Sequence, residues 1–266
     1  MSCVLDLMLI IEKHCMKKII IFWLILFSNS LLADMSFRSP SDEINHAFVW
    51  ITGTISKSDA EILEAYTNSR LKRFGKLPSY SVMLNSTGGS VAAAMEIGKI
   101  LRKTESLAQV EERAVCLSAC PYILAGATSR GVYGIVGVHR LYEPEAQQLS
   151  PAEQKKKYKL LAANIYTYLD EVNISRQLYD DAIYINPEDI KILTKRELQV
   201  YGLSENDPYQ SEYDASKTAK KNNISRKEQA AREAKAKIAC PLPATTEKDV
   251  FMPYVKCKER ILSGAD

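Results

Sequence analysis

Apolar residues change their period several times along the chain, and the changes mark out elements. Phe48-Val49-Trp50-Ile51-Thr52 is a β-branched and aromatic run closed by Gly53, which predicts a strand. From Ser56 to Phe74 the apolar residues Ile62, Leu63, Tyr66 and Leu71 recur at helical spacing. Tyr80 to Leu84 predicts a second strand that ends in the turn Asn85-Ser-Thr-Gly-Gly-Ser, and Val91 to Leu101 then has an Ala-rich helical period. A further strand and helix follow at Arg113 to Leu117 and Ser118 to Ala127, then a short strand at Ile135 to His139. Strand and helix alternating in this way predict an α/β fold with a mostly parallel sheet covered by helices. Pro151 to Leu178 predicts one helix with Tyr158, Leu161, Ile165, Tyr168 and Leu169 on one side, and Leu193 to Leu203 a terminal helix closed by Gly202.

Beyond Glu205 the pattern breaks. Asp214 to Lys237 is rich in Lys, Ala, Glu, Asn and Ser with almost no large apolar residue, so it cannot bury a core of its own. Residues 207–239 are expected to be a charged linker or solvated helix. Residues 240–266, with Pro241 and Pro243, are expected to form a small cap closed by Cys240 and Cys257. The main domain is placed at residues 44–206.

The N-terminus is a targeting pattern. Lys17-Lys18 precede the apolar run Ile19 to Phe27, and Ser28, Asn29, Ser30, Leu31, Leu32 and Ala33 provide a small-residue exit. Residues 1–33 are therefore expected to be a signal peptide, cleaved after Ala33, with residues 1–15 an upstream extension if translation starts at Met16. The apolar run is shorter than the ~20 residues a span needs. The expected location is the periplasm or the medium, with membrane attachment only through an uncleaved signal segment.

Composition narrows the classes. At 266 residues and 46% hydrophobic, the chain can bury one full core plus appendages. A net charge of +3, with the lysines concentrated late, makes nucleic acid an unexpected partner. Processing removes Cys3 and Cys15 and leaves Cys116, Cys120, Cys240 and Cys257, an even count in a compartment that permits disulfides. Three pairings are possible. Proximity favours Cys240 with Cys257, and leaves Cys116 and Cys120 either bridged or free.

Three features carry chemistry. The glycine turn after the second strand leaves backbone N–H groups unpaired at a helix start, where an oxyanion can bind. Ser118, inside Cys116-Leu-Ser-Ala-Cys120, lies at the next strand-to-helix junction on the same sheet edge, although a serine there can equally be an N-cap. The chain has only His14, His46 and His139; His14 is in the doubtful extension and His46 near the mature N-terminus. His139 is thus the base available to an alkoxide-forming serine in the interior.

Together these motifs resemble the Clp protease proteolytic subunit, and more closely its periplasmic branch with a Cys-x-Ser-Ala-Cys motif. The resemblance covers about 160 residues. It rests on Phe48 to Gly53, Asn85-Ser-Thr-Gly-Gly-Ser, the serine followed by Leu124-Ala125-Gly126 and Arg130, Gly137-Val138-His139-Arg140, and Leu193-Thr194 with Glu197-Leu198 and Tyr201-Gly202-Leu203. It implies the Clp-protease/crotonase-like repeated ββα superhelix, here with a helical, charged C-terminal extension. It also implies a serine hydrolase acting on peptides by acyl transfer. Ser118 matches the nucleophile, His139 the base, and the N–H groups of Gly89 and Ala119 the oxyanion hole. The acid position falls on Asn186, with Glu188 and Asp189 close by, and an asparagine does not stabilise an imidazolium as a carboxylate does. No metal or cofactor is implied, and self-association is expected. The competing expectation is a catalytically weak or inactive Clp-like scaffold that binds another envelope protein.

The signal pattern makes a first prediction: protein recovered from fractionated cells should start near Asp34 and lie outside the cytoplasm. Intact mass decides it, and a cytosolic chain retaining residues 17–33 would reject the signal peptide.

Overall fold

The computed structural model describes residues 34–41, 43–142, 148–243 and 248–265. The segment expected to be a signal peptide lies outside them. Among the described residues the fold is a mixed α/β arrangement with one 8-stranded sheet. In chain order its strands are β1 (Asp34–Arg38), β2 (His46–Ile55), β3 (Ser79–Gly89), β4 (Leu107–Val110), β5 (Val115–Leu117), β6 (Ser129–Val132), β7 (Ile135–Val138) and β8 (Lys191–Ile192). The helices are α1 (Lys57–Phe74), α2 (Val91–Lys103), α3 (Cys120–Gly126), α4 (Pro151–Glu171), α5 (Gln177–Ala182), α6 (Lys195–Tyr201), α7 (Pro208–Lys221), α8 (Arg226–Ala239) and α9 (Lys248–Ser263).

The main path of the sheet runs β1-β2-β3-β5-β7-β8, and β4 and β6 branch from it. The branch is at β3. Its first half pairs with β4, Ser81 to Met83 opposite Leu107 to Gln109, while Ser86 near its end pairs with Cys116 of β5. All pairings from β2 to β7 are parallel, and β1 and β8 close the two ends antiparallel. Alternate residues Ala47, Val49, Ile51, Tyr80, Val82 and Leu84 are buried, so one face of β2 and β3 carries the core. The turn expected at Asn85 to Gly89 is the end of β3: Thr54 pairs with Gly88 and Ile55 with Gly89 beyond a register shift at Gly53/Thr54. Short strands β1, β4, β6 and β8 carried too few residues to show a period.

Two helical expectations change. In α1 the buried line is Ala60, Leu63, Thr67 and Arg70, whereas Ile62 and Leu71 face solvent. Thr67 is accommodated because its hydroxyl bonds the Leu63 carbonyl at 2.7 Å and the Tyr80 hydroxyl at 2.8 Å. The single helix expected over Pro151 to Leu178 is two, α4 and α5, because Asn173 takes a positive φ of 55° and turns the chain. Ile165, Tyr168 and Leu169 are buried as the spacing requires. Gly98 of α2 and Gly126 of α3 touch; a Cβ on Gly126 would lie 2.3 Å from the Gly98 Cα. That approach lets all seven residues of α3 be buried.

The tail is more ordered than its composition suggests. α7 packs on α8 and α8 on α9, around Ala236, Cys240 and Ile261, with a disulfide between Cys240 and Cys257. Asp207, the N-cap of α7, is 1% exposed and pairs with Arg102 at 2.9 Å. The neighbouring Arg130 guanidinium donates to the carbonyls of Ala125, Gly202 and Glu205. The composition break after Glu205 therefore coincides with a buried ionic seam.

α6 is started by a capping box of Thr194 and Glu197 and ended by Gly202 in the left-handed region. Lys191 at 2.7 Å, then the Thr194 N–H and hydroxyl, hold the Glu197 carboxyl down from its ordinary 4.5 to about 2. A lowered folded value gives stability that is complete above about 4.5 and is lost as the pH falls toward about 2. Urea unfolding of wild type and Glu197→Gln should show a stability difference at neutral pH that shrinks through that window. A difference independent of pH would refute the ionic part of this cap.

Candidate functional site

The carboxyl ends of β3, β5 and β7 come together at one edge of the sheet, and there the expected residues lie. Leu117 pairs with Gly137, and the next N–H, that of Ser118, donates to the Gly137 carbonyl at 3.0 Å. Ser118 thus extends β5 by one residue beside β7, and His139 follows the end of β7. Ser118 has φ +60°, a left-handed backbone that disfavours a residue with a Cβ. Ser118 is not the N-cap of α3; that position is Ala119, and no side chain caps the helix.

The glycine pair completes the wall. Gly88 has φ +106°, and a Cβ there would stand 2.5 Å from Ser118 Cβ and 3.0 Å from its Oγ. Gly89 has φ +140° and is pressed on the backbone of Ile55. It is therefore Gly88, not singled out by sequence, that leaves room for Ser118. Ser86 fixes this turn: its hydroxyl donates to the Gly53 carbonyl at 2.6 Å and accepts the Gly88 N–H at 3.1 Å. A serine two residues before a glycine is the signal that could have revealed it.

His139 is half-buried, and its Nδ1 is buried without a hydrogen-bond partner among the described residues. The backbone brings Asn186 nearby, since the Arg140 N–H donates to the Ile185 carbonyl at 2.9 Å. Its side chain, however, is exposed and donates to Asp189 at 3.2 Å, closing a local turn. Beside His139 opens a cleft of about 510 Å³ whose lining includes Arg140, Leu141, Tyr142, Tyr158, Tyr179 and Glu188. His46 is at the far end of the strands, where it pairs with Ser79 at 2.9 Å. Cys116 and Cys120 are joined in a disulfide that spans Ser118.

No family model and no curated protein sequence matches the chain. Among solved structures it is similar to a variant of the 1510-N membrane-bound stomatin-specific protease, with 18% identity over 63% of this chain and 82% of that one, at a TM-score of 0.43. It is also similar to a variant of ClpP1 from Listeria monocytogenes, with 18% identity over 59% of this chain and 88% of that one, at a TM-score of 0.45.

The Gly88 contact yields a prediction. Gly88→Ala should lose more stability than Gly75→Ala, because both glycines have positive φ but only Gly88 lacks space for a Cβ. Backbone strain costs ~1–3 kcal/mol at either site. Overpacking should add ~1–3 kcal/mol at Gly88 alone. Equal losses in urea unfolding would show that Ser118 does not press on this glycine.

Proposed function

We propose that the chain is an exported serine hydrolase of Clp-protease type, a peptidase that transfers the acyl group of its substrate to Ser118. The fold is read accordingly as the repeated ββα superhelix, extended by the three tail helices, and the partners as a peptide or protein substrate and further copies of the chain. The observation that carries the proposal is Ser118 itself. It is a strained, uncapping serine, set against a glycine turn at the sheet edge where His139 follows the end of the neighbouring strand β7.

In this mechanism Ser118 Oγ attacks the carbonyl carbon as His139 takes its proton, and His139 then returns that proton to the leaving amine. The N–H groups of Gly89 and Ala119 stabilise the oxyanion, a contribution of ~3–4 kcal/mol per donor. Water repeats the attack to release the acyl group. Asn186 is assigned the weak third position, where turning its side chain from Asp189 toward the imidazole would orient the ring.

A second reading is a weak or inactive scaffold that binds another envelope protein. The unpartnered Nδ1 of His139 and the engagement of Asn186 with Asp189 favour it, since an imidazolium would form there without an orienting acceptor.

Turnover of peptide and ester panels separates the two. Ser118→Ala and His139→Ala should each abolish nearly all activity, and the double variant should lose little more, as members of one catalytic unit are non-additive. Asn186→Asp should raise the rate. A folded wild type that hydrolyses nothing and takes up no fluorophosphonate would leave the scaffold reading in front.

A further inference from the structure

Ser118 occupies a left-handed backbone conformation that its own residue type disfavours. The helix that follows begins without a side-chain cap, at Ala119. The Ser118 backbone is tied to β7 through its N–H, which donates to the Gly137 carbonyl at 3.0 Å. What spans the turn is covalent. Cys116 and Cys120, four residues apart with their Cα atoms 5.1 Å apart, are bonded to each other and are both fully buried.

The two ends of that bridge are themselves fixed. Cys116 sits within β5 and pairs with Ser86 on one side and Val136 on the other. Cys120 is the first residue of α3, the helix whose every residue is buried. The bond therefore ties a central strand to a core helix across just Leu117, Ser118 and Ala119. With both ends held, the three intervening residues have few conformations left, and the one present places Ser118 Cβ against the vacant side of Gly88.

We propose that the Cys116–Cys120 disulfide is the positioning element of the site: it holds Ser118 in its left-handed conformation against Gly88 and sets the reactivity of the hydroxyl. The proposal rests on the reading of Ser118 as nucleophile. Opening the bond lets Ser118 relax toward an ordinary negative φ, which takes its Oγ away from the glycine turn while leaving the sheet paired. The Cys240–Cys257 bond, which lies in the tail cluster, has no such effect.

Two readouts test this on the full mature chain: the rate of fluorophosphonate uptake at Ser118, and amide exchange of the Ser118 and Ala119 N–H groups. Cys116→Ala/Cys120→Ala should slow uptake by about tenfold or more. It should also speed exchange at these two amides by a similar factor, with β2 and β3 still protected. Cys240→Ala/Cys257→Ala should change neither.

If the first double variant does not fold, wild type reduced with a phosphine in urea and diluted back gives the same readouts. In that reduction the phosphine becomes its oxide with the oxygen of water, and the S–S bond becomes two thiols. Unchanged uptake and exchange in a folded, bridge-free protein overturn the proposal. So does a chain that refolds in neither form, which would assign the bridge to the fold as a whole. If oxidised wild type takes up no probe, the hydrolase reading falls, and amide exchange alone still decides whether the bridge holds the turn.

Discussion

β3 runs from Ser79 to Gly89 with β2 along one edge, and its other edge has two neighbours, β4 beside the first half and β5 beside the end. An 11-residue strand is about 36 Å long at ~3.3 Å per residue, enough for two short partners in succession. Because β5 pairs only at that far end, its own end reaches the same edge as Gly88 and Gly89. Because β7 pairs with β5, His139 arrives there as well. A β3 shorter by a few residues would have no place for β5, and the serine, the glycines and the histidine would have no common edge.

Around that edge, close contact matters more than polar bonding. Gly88 lies against Ser118, and Gly98 against Gly126 under the buried helix that begins just after the serine. Ser86 bonds Gly53 and Gly88 locally, and Asn85 accepts the Val115 N–H. The edge is close-packed where Ser118 meets Gly88, whereas Nδ1 of His139 is buried without a hydrogen-bond partner among the described residues. An unpaired polar atom at that depth is costly.

The tail joins this domain through charge. Asp207 is almost fully buried against Arg102, and Arg130 binds carbonyls on both α3 and the segment after α6. Burial alone would push the Asp207 carboxyl up, but the Gln210 N–H and the Arg102 guanidinium hold it below the usual carboxylate range. A buried pair of this kind is disrupted severely when one partner is removed.

Elements with strong period and punctuation were legible along the chain: β2, α1, α2 and α6, with Ser118 and His139 at successive strand ends. Those signals are local, and burial did not have to override them. The pattern left the pairing of Cys116 open and grouped Ile62 and Leu71 with Leu63 and Tyr66 on α1, because a helical period alone does not say which side meets the sheet. Tertiary structure decided what depends on residues far apart in the chain. It set Gly88 rather than Gly89 against the serine, brought short strands β4, β6 and β8 into pairing, and divided the long helix at Asn173. It also let Ala236, Cys240 and Ile261 bury one another, with Tyr254, Cys257 and Leu262 packed against them, although Asp214 to Lys237 has almost no large apolar residue: the apolar partners come from α9, and the disulfide ties the two helices together.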